Sequence, residues 1–107
     1  MVDNKLDATF SALADPTRRG MLAALMLGEK PVSDLAKPYQ MSLAGAAKHV
    51  EVLARAGLIA RRKVGRKHFC RLEPGRLKEA SDWLAQWERF WTVRLDALEI
   101  ELKKDQP

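Results

Sequence analysis

The chain is poor in the residues that staple, coordinate or catalyse. Cys70 is its one cysteine, so no disulfide can form within the chain. A lone thiol suits a reducing compartment, and a cytoplasmic protein is expected. The only histidines are His49 and His68. No set of three or four Cys, His or carboxylate ligands of the kind that holds Zn²⁺ is apparent, so neither metal nor cofactor is expected. Glu29, Asp34 and Glu51 pair with no histidine or nucleophile in a catalytic pattern. No phosphate-binding glycine loop is present either, and together these absences argue against an enzyme. No apolar run approaches the roughly 18–20 residues that cross a membrane. The opening MVDNKLDATF lacks the basic segment and apolar core of a secretory signal.

The chain has 107 residues, 47% of them hydrophobic, and this suits one globular domain over 1–107. A core of this size is small and would gain from an interface shared with a partner. The net charge is +5, and it is unevenly spread. Residues 1–57 sum to +1, residues 58–72 to +6 and residues 73–107 to −2. Between Leu58 and Leu72 there are six Lys or Arg, His68 and no acid. A compact basic patch on a near-neutral remainder suits a nucleic-acid footprint; the plain alternative is a solvated basic hairpin.

Periodicity outlines the elements. Leu6, Phe10 and Leu13 mark a helix over about 3–14. Asp15 caps a second helix, Pro16 fits its first position, and Met21, Leu22, Leu25 and Met26 form its apolar stripe up to Gly28. Pro31-Val32 reads as an extended link. Ser33 caps a brief helix that Pro38 ends, and Tyr39-Gln40-Met41 is a turn. Ser42 caps a helix over 42–56 that stops near Gly57. Its inward side is Ala46, Val50 and Leu53, and Ala44, Ala47, Lys48, Glu51 and Arg55 lie opposite, with Leu43 and His49 at the borders. Residues 59–64 and 67–72 read as two strands around Gly65-Arg66, where glycine first permits a type II′ turn. A long helix without internal Gly or Pro covers about 76–104.

Two short helices joined by a tight turn make a helix-turn-helix, and a basic hairpin behind it makes a wing. A duplex major groove admits one α-helix. Ser42, Ala44, Gly45 and Ala47 are small enough to let the start of the second helix approach base edges. Lys48 can reach guanine or phosphate, and Leu43, Ala44 and Ala47 can meet thymine methyls. His49 is either a base reader or a border residue bonded to backbone.

The stretches ALADPTRRGMLAAL, MSLAGAAKHVEVLARAGLI and VGRKHFCRL resemble the ArsR/SmtB family of bacterial winged helix-turn-helix repressors. The resemblance runs over about residues 6–102. It implies a mostly α, α+β fold, dimeric through its first and last helices, that binds operator DNA and represses nearby genes or its own promoter. It maps the recognition contacts onto Ser42, Leu43, Ala44, Ala47 and Lys48, and the wing contacts onto Arg62, Lys63, Arg66 and Lys67. The family's metal sensors carry an ELCVCDL-type motif where this chain has KPVSDLA, and others place histidines on the last helix, where this chain has none.

Trp83, Trp87, Phe90 and Trp91 crowd one helix and admit two readings, a subunit interface or an effector pocket. The interface is preferred, because aromatics bury much area per residue and so long a helix outruns a domain this small. With Leu6, Phe10, Leu84, Trp87, Trp91, Leu95, Leu98 as the seam, the expected partners are double-stranded DNA and a second copy of the chain, with a small-molecule effector left open. The alternative function is a winged-helix module that contacts another protein and has no specific DNA binding.

Overall fold

The computed structural model describes residues 4–104. In order they form α1 (Asn4–Leu13), α2 (Pro16–Leu25), β1 (Lys30–Pro31), α3 (Val32–Ala36), a 3₁₀ turn (Lys37–Tyr39), α4 (Leu43–Arg55), β2 (Ile59–Val64), β3 (Lys67–Leu72) and α5 (Gly75–Lys104). The helix ends follow from side-chain chemistry. The Asp15 carboxylate accepts the Arg18 amide at 3.0 Å, and Pro16 fills the first position of α2, where an amide would go unused. Ser42 Oγ accepts the Gly45 amide at 3.0 Å and starts α4. The last carbonyls of α1 have no partner within their own helix. Arg18 Nε donates to the Ala12 carbonyl at 2.7 Å, and Arg19 donates to that of Leu13 at 2.7 Å. The paired arginines of α2 thus cap the helix before it and place positive charge at its negative end.

α4 closes on a glycine. Gly57 has φ +77°, its amide donates to the Ala54 carbonyl and the Leu58 amide reaches back to that of Leu53, both at 3.0 Å. This pair of bonds ends the helix and turns the chain straight into the wing. Met21, Leu22 and Leu25 of α2, Leu35 and Ala36 of α3, and Ala46, Val50 and Leu53 of α4 meet Leu58, Ile59 and Cys70 in one buried cluster. The inward face expected of α4 is therefore the buried one, and the opposite face is left to solvent.

Several local expectations need correction. Lys30–Pro31 is not a plain link but a third strand, antiparallel to β3, with Lys30 opposite Cys70 and Pro31 opposite Phe69, in the sheet order β1-β3-β2. Proline is tolerated there because β1 is an edge strand. α3 begins at Val32 with no side-chain cap, so Ser33 lies inside its first turn. Met26 follows the last residue of α2 and is 76% exposed, outside the apolar stripe assigned to it. The hairpin keeps the expected turn. Gly65 has φ +61°, and among the described residues only Gln40, in the turn before α4, combines a positive φ with a side chain. The left-handed residue therefore comes first in Gly65-Arg66, the type II′ pattern.

α5 has 30 residues and is about 45 Å long at 1.5 Å per residue. Ala80 is its one buried residue, and every described residue from Ser81 onward is exposed. The helix stretches the molecule to 70 × 34 × 21 Å.

Candidate nucleic-acid interface

Ser42, Leu43, Ala44, Ala47 and Lys48 are all exposed at the start of α4. Their backs are fixed by Ala46 and Val50, which pack on Leu35 and Ala36 of α3. Small side chains at this end let the helix backbone itself come close to a ligand. His49 is placed differently. Its ring is half-buried and turned toward α2, with Nδ1 3.3 Å from an Arg18 guanidinium nitrogen and 3.9 Å from the Asp15 carboxylate. Its polar contacts are thus with side chains of α2 and its cap, not with backbone. The Arg18 amide bond, with help from the nearby His49 and Arg18 charges, holds the Asp15 carboxyl below its ordinary range against the opposing effect of burial. Arg18 therefore links the end of α1, through Ser11 and Ala12, to a side chain of α4. Residue type alone did not mark it as part of this surface.

The wing separates its charges by strand parity. Pairing sets Arg61 opposite Cys70 and Lys63 opposite His68 on one face, and Arg62 opposite Phe69 on the other. On that second face Arg62 is engaged. Its Nε donates to Glu29 Oε2 at 2.9 Å, a second nitrogen reaches Oε1, and its guanidinium stands 5.6 Å from the centre of the Phe69 ring. The pair stabilises both ions, so the Glu29 carboxyl lies below its ordinary pKa and the Arg62 guanidinium above. Of the four wing cations singled out from the sequence, Lys63, Arg66 and Lys67 have no side-chain partner among the described residues, and Arg62 does. Arg61 was missed; it is exposed but shares its strand face with the buried Ile59 and Cys70, the face that turns toward α4.

A cleft of about 450 Å³ joins the two elements. Leu43 and Ala47 line it from α4, and Arg66 and Lys67 from the wing. Reading helix and hairpin thus converge on one concave surface. Cys70 lies behind it, fully buried, with burial pushing its thiol pKa up. Among the described residues no group of three or more His, Cys, Asp or Glu could hold a metal ion, and no helix is long and apolar enough to cross a membrane.

The residues singled out for subunit contact lie elsewhere, along α1 and α5. Phe10 meets Trp83 of the same chain edge-on, with ring centres 5.7 Å apart, and the stack continues through Trp87, Phe90 and Trp91. Leu84, Trp87, Trp91, Leu95 and Leu98 stay exposed.

Comparison with known proteins identifies this arrangement. A helix-turn-helix domain model matches residues 13–62, from the end of α1 into β2. The HTH-type transcriptional regulator Rv2034 of Mycobacterium tuberculosis is 34% identical over 89 residues, 83% of this chain and 80% of the relative. A solved ArsR family transcriptional regulator is 38% identical and superposes with a TM-score of 0.79 over 86% of this chain and 95% of its own. The chain belongs to the ArsR family. It is a transcriptional regulator with a helix-turn-helix DNA-binding domain, not an enzyme. Within the wider group, the transcriptional repressor SdpR of Bacillus subtilis is 27% identical over 79 residues, 74% of this chain and 88% of the relative. A homodimeric winged helix-turn-helix DNA-binding domain from Mycobacterium bovis shares the fold, at 22% identity and a TM-score of 0.62 over 88% of this chain and 84% of its own.

Proposed function

We propose that this ArsR-family protein is a homodimeric, cytoplasmic repressor, one winged helix-turn-helix domain per chain, that binds an operator in its own promoter or a nearby one. The observation that carries this reading is the concave surface on which the open end of α4 and the unpartnered wing cations meet. Leu43, Ala44 and Ala47 offer methyl groups to the major groove, and Lys48 offers the one long donor beside them. Lys63, Arg66 and Lys67 grip phosphate, which positions the protein without reading sequence. Two copies joined through α5 would place two such helices on half-sites about one helical turn apart. The repressor SdpR and the homodimeric M. bovis domain support the finer parts of this reading.

Paired substitutions test it. Arg66→Ala removes a phosphate contact, so binding should weaken equally on operator and random duplex. The slope of log K against log salt should shallow by about one per lost contact in each subunit. Lys48→Ala removes a candidate base contact and should cost about 1–3 kcal/mol on the operator and much less on random duplex. Parallel loss on both duplexes from both variants would remove α4 as the reader. Absence of any salt-sensitive duplex binding would turn the reading toward a protein-contact module.

A further inference from the structure

We propose that the cleft between α4 and the wing also binds an amphipathic organic anion, an aliphatic chain ending in a carboxylate, in competition with DNA. The competition rests on the reading of this surface as the DNA-binding face; the binding itself does not. The cleft's 450 Å³ falls in the range of about 300–1,000 Å³ typical of small-molecule sites. Its walls are largely aliphatic, with Pro31 and Val32 on one side and Leu43 and Val50 on the other. A sugar–phosphate backbone is charged along its length and gains little from such walls. A hydrocarbon chain gains in proportion to the apolar surface it removes from water.

The charges choose the headgroup. Arg61, Arg66 and Lys67 line the cleft, and none has a carboxylate partner among the described residues. The acids that pair with wing arginines hold Arg62 and Arg71 instead, through Glu29 and Glu73. Those two arginines point to the opposite face of the hairpin from Arg61 by strand register, and although Arg61 borders a small pocket with Glu29, it makes no ion pair with it. The cleft therefore presents positive charge with no internal counter-ion beside an apolar wall, which complements a molecule with a single carboxylate at the end of a hydrocarbon chain. Arg61 can take that carboxylate through two parallel N–H···O bonds. A molecule seated there covers Leu43 and Ala47 and neutralises wing cations, so anion and duplex exclude each other, and each lowers the other's apparent affinity.

The test begins without DNA. Sodium decanoate, kept below its micelle-forming concentration, is titrated into the full chain while backbone amide shifts are followed by ¹H–¹⁵N NMR. Saturable shifts are expected at Val32, Ala47, Val50, Arg61 and His68. Decanol lacks the charge and acetate lacks the chain, so each should bind about ten-fold more weakly. Arg61→Gln should weaken decanoate by a similar factor and leave decanol unchanged. The absence of saturable shifts, decanol binding as well as decanoate, or shifts centred on Trp83 to Trp91 would overturn the site. In a second arm decanoate should release a fluorescent operator duplex in proportion to its occupancy of the cleft. Decanoate that binds the cleft without changing duplex affinity would overturn the competition alone. If no duplex binds at all, the first arm still decides the site, and the proposed DNA function is what fails.

Discussion

At the scale of single residues, charge and availability are different properties. Arg62 and Arg66 are both basic, exposed wing residues, yet Arg62 is held by both oxygens of Glu29 while Arg66 has no partner among the described residues. Glu29 is ionised more readily than an ordinary glutamate because Arg62 hydrogen-bonds it. A depressed carboxylate pKa contributes stability above the unfolded value, and that contribution is lost as pH falls through the folded one. The pair should therefore persist through neutral pH and open only in acid. Glu29→Gln should release Arg62 at neutral pH. Affinity for any duplex should then rise, and the salt slope should steepen by about one per subunit if the freed guanidinium reaches phosphate. Anisotropy titrations at several salt concentrations measure this, and an unchanged slope would show that Arg62 cannot reach the backbone. The sequence marked the basic run correctly as a patch but could not sort its members. Sorting needed Glu29, which lies 33 positions away and on another segment. Arg61 was readable in principle, because strand parity ties it to the buried Ile59 and Cys70.

At the scale of elements, the helix-turn-helix was legible because its boundaries are written locally. Asp15-Pro16, Ser42 and Gly57 each satisfy or release backbone groups within four residues of themselves, so their effect does not wait on tertiary structure. What escaped was decided at a distance. β1 is two residues long and exists only because β3 offers it an edge, and Met26, though still helical in backbone, has no neighbouring element to cover it. The tie between α1 and α4 escaped for the same reason. Arg18 donates to Ser11 and Ala12 at the end of α1 and meets His49 on α4, 31 positions away. Through it the helix nearest the proposed subunit contact is bonded to the proposed reader. Arg18→Met would leave the Ala12 carbonyl without its cap, and Ser11 with the Ala14 amide alone, and should cost on the order of 2 kcal/mol, read from the urea midpoint. His49→Ala keeps the α1 cap and loses only the contact between elements. It should cost far less stability and still reduce discrimination between operator and random duplex. An Arg18→Met protein with unchanged midpoint and unchanged discrimination would show that the contact positions nothing.

At the scale of the molecule, the outer part of α5 has no role in the protomer's own core. Trp83, Leu84, Trp87, Phe90, Trp91, Leu95, Leu98 and Leu102 fall at spacings of one, three and four on a broad stripe of one side of the helix, and each is between 39% and 59% exposed. A patch of that extent is larger than soluble monomers usually present to water. A second α5 laid along it would bury it, and α1 would join through Leu6 and Phe10. The consequence is specific because stability and association separate here. Trp87→Asp with Leu98→Asp puts two carboxylates on the stripe, while the buried cluster of α2, α3, α4 and the wing contains neither residue. Within a dimer seam, desolvating polar groups without partners costs about 2–7 kcal/mol each. In the separated chain both side chains remain in water. The double variant should therefore be a folded monomer. Light scattering should give a mass near the 12.1 kDa of one chain, where the parent gives about twice that value. Operator binding should fall with the loss of the second half-site, while Arg66 and Lys67 of the lone wing still support weak, salt-sensitive binding to any duplex. A double variant that stays dimeric would move the subunit interface off this stripe and leave so large an apolar surface in need of another partner.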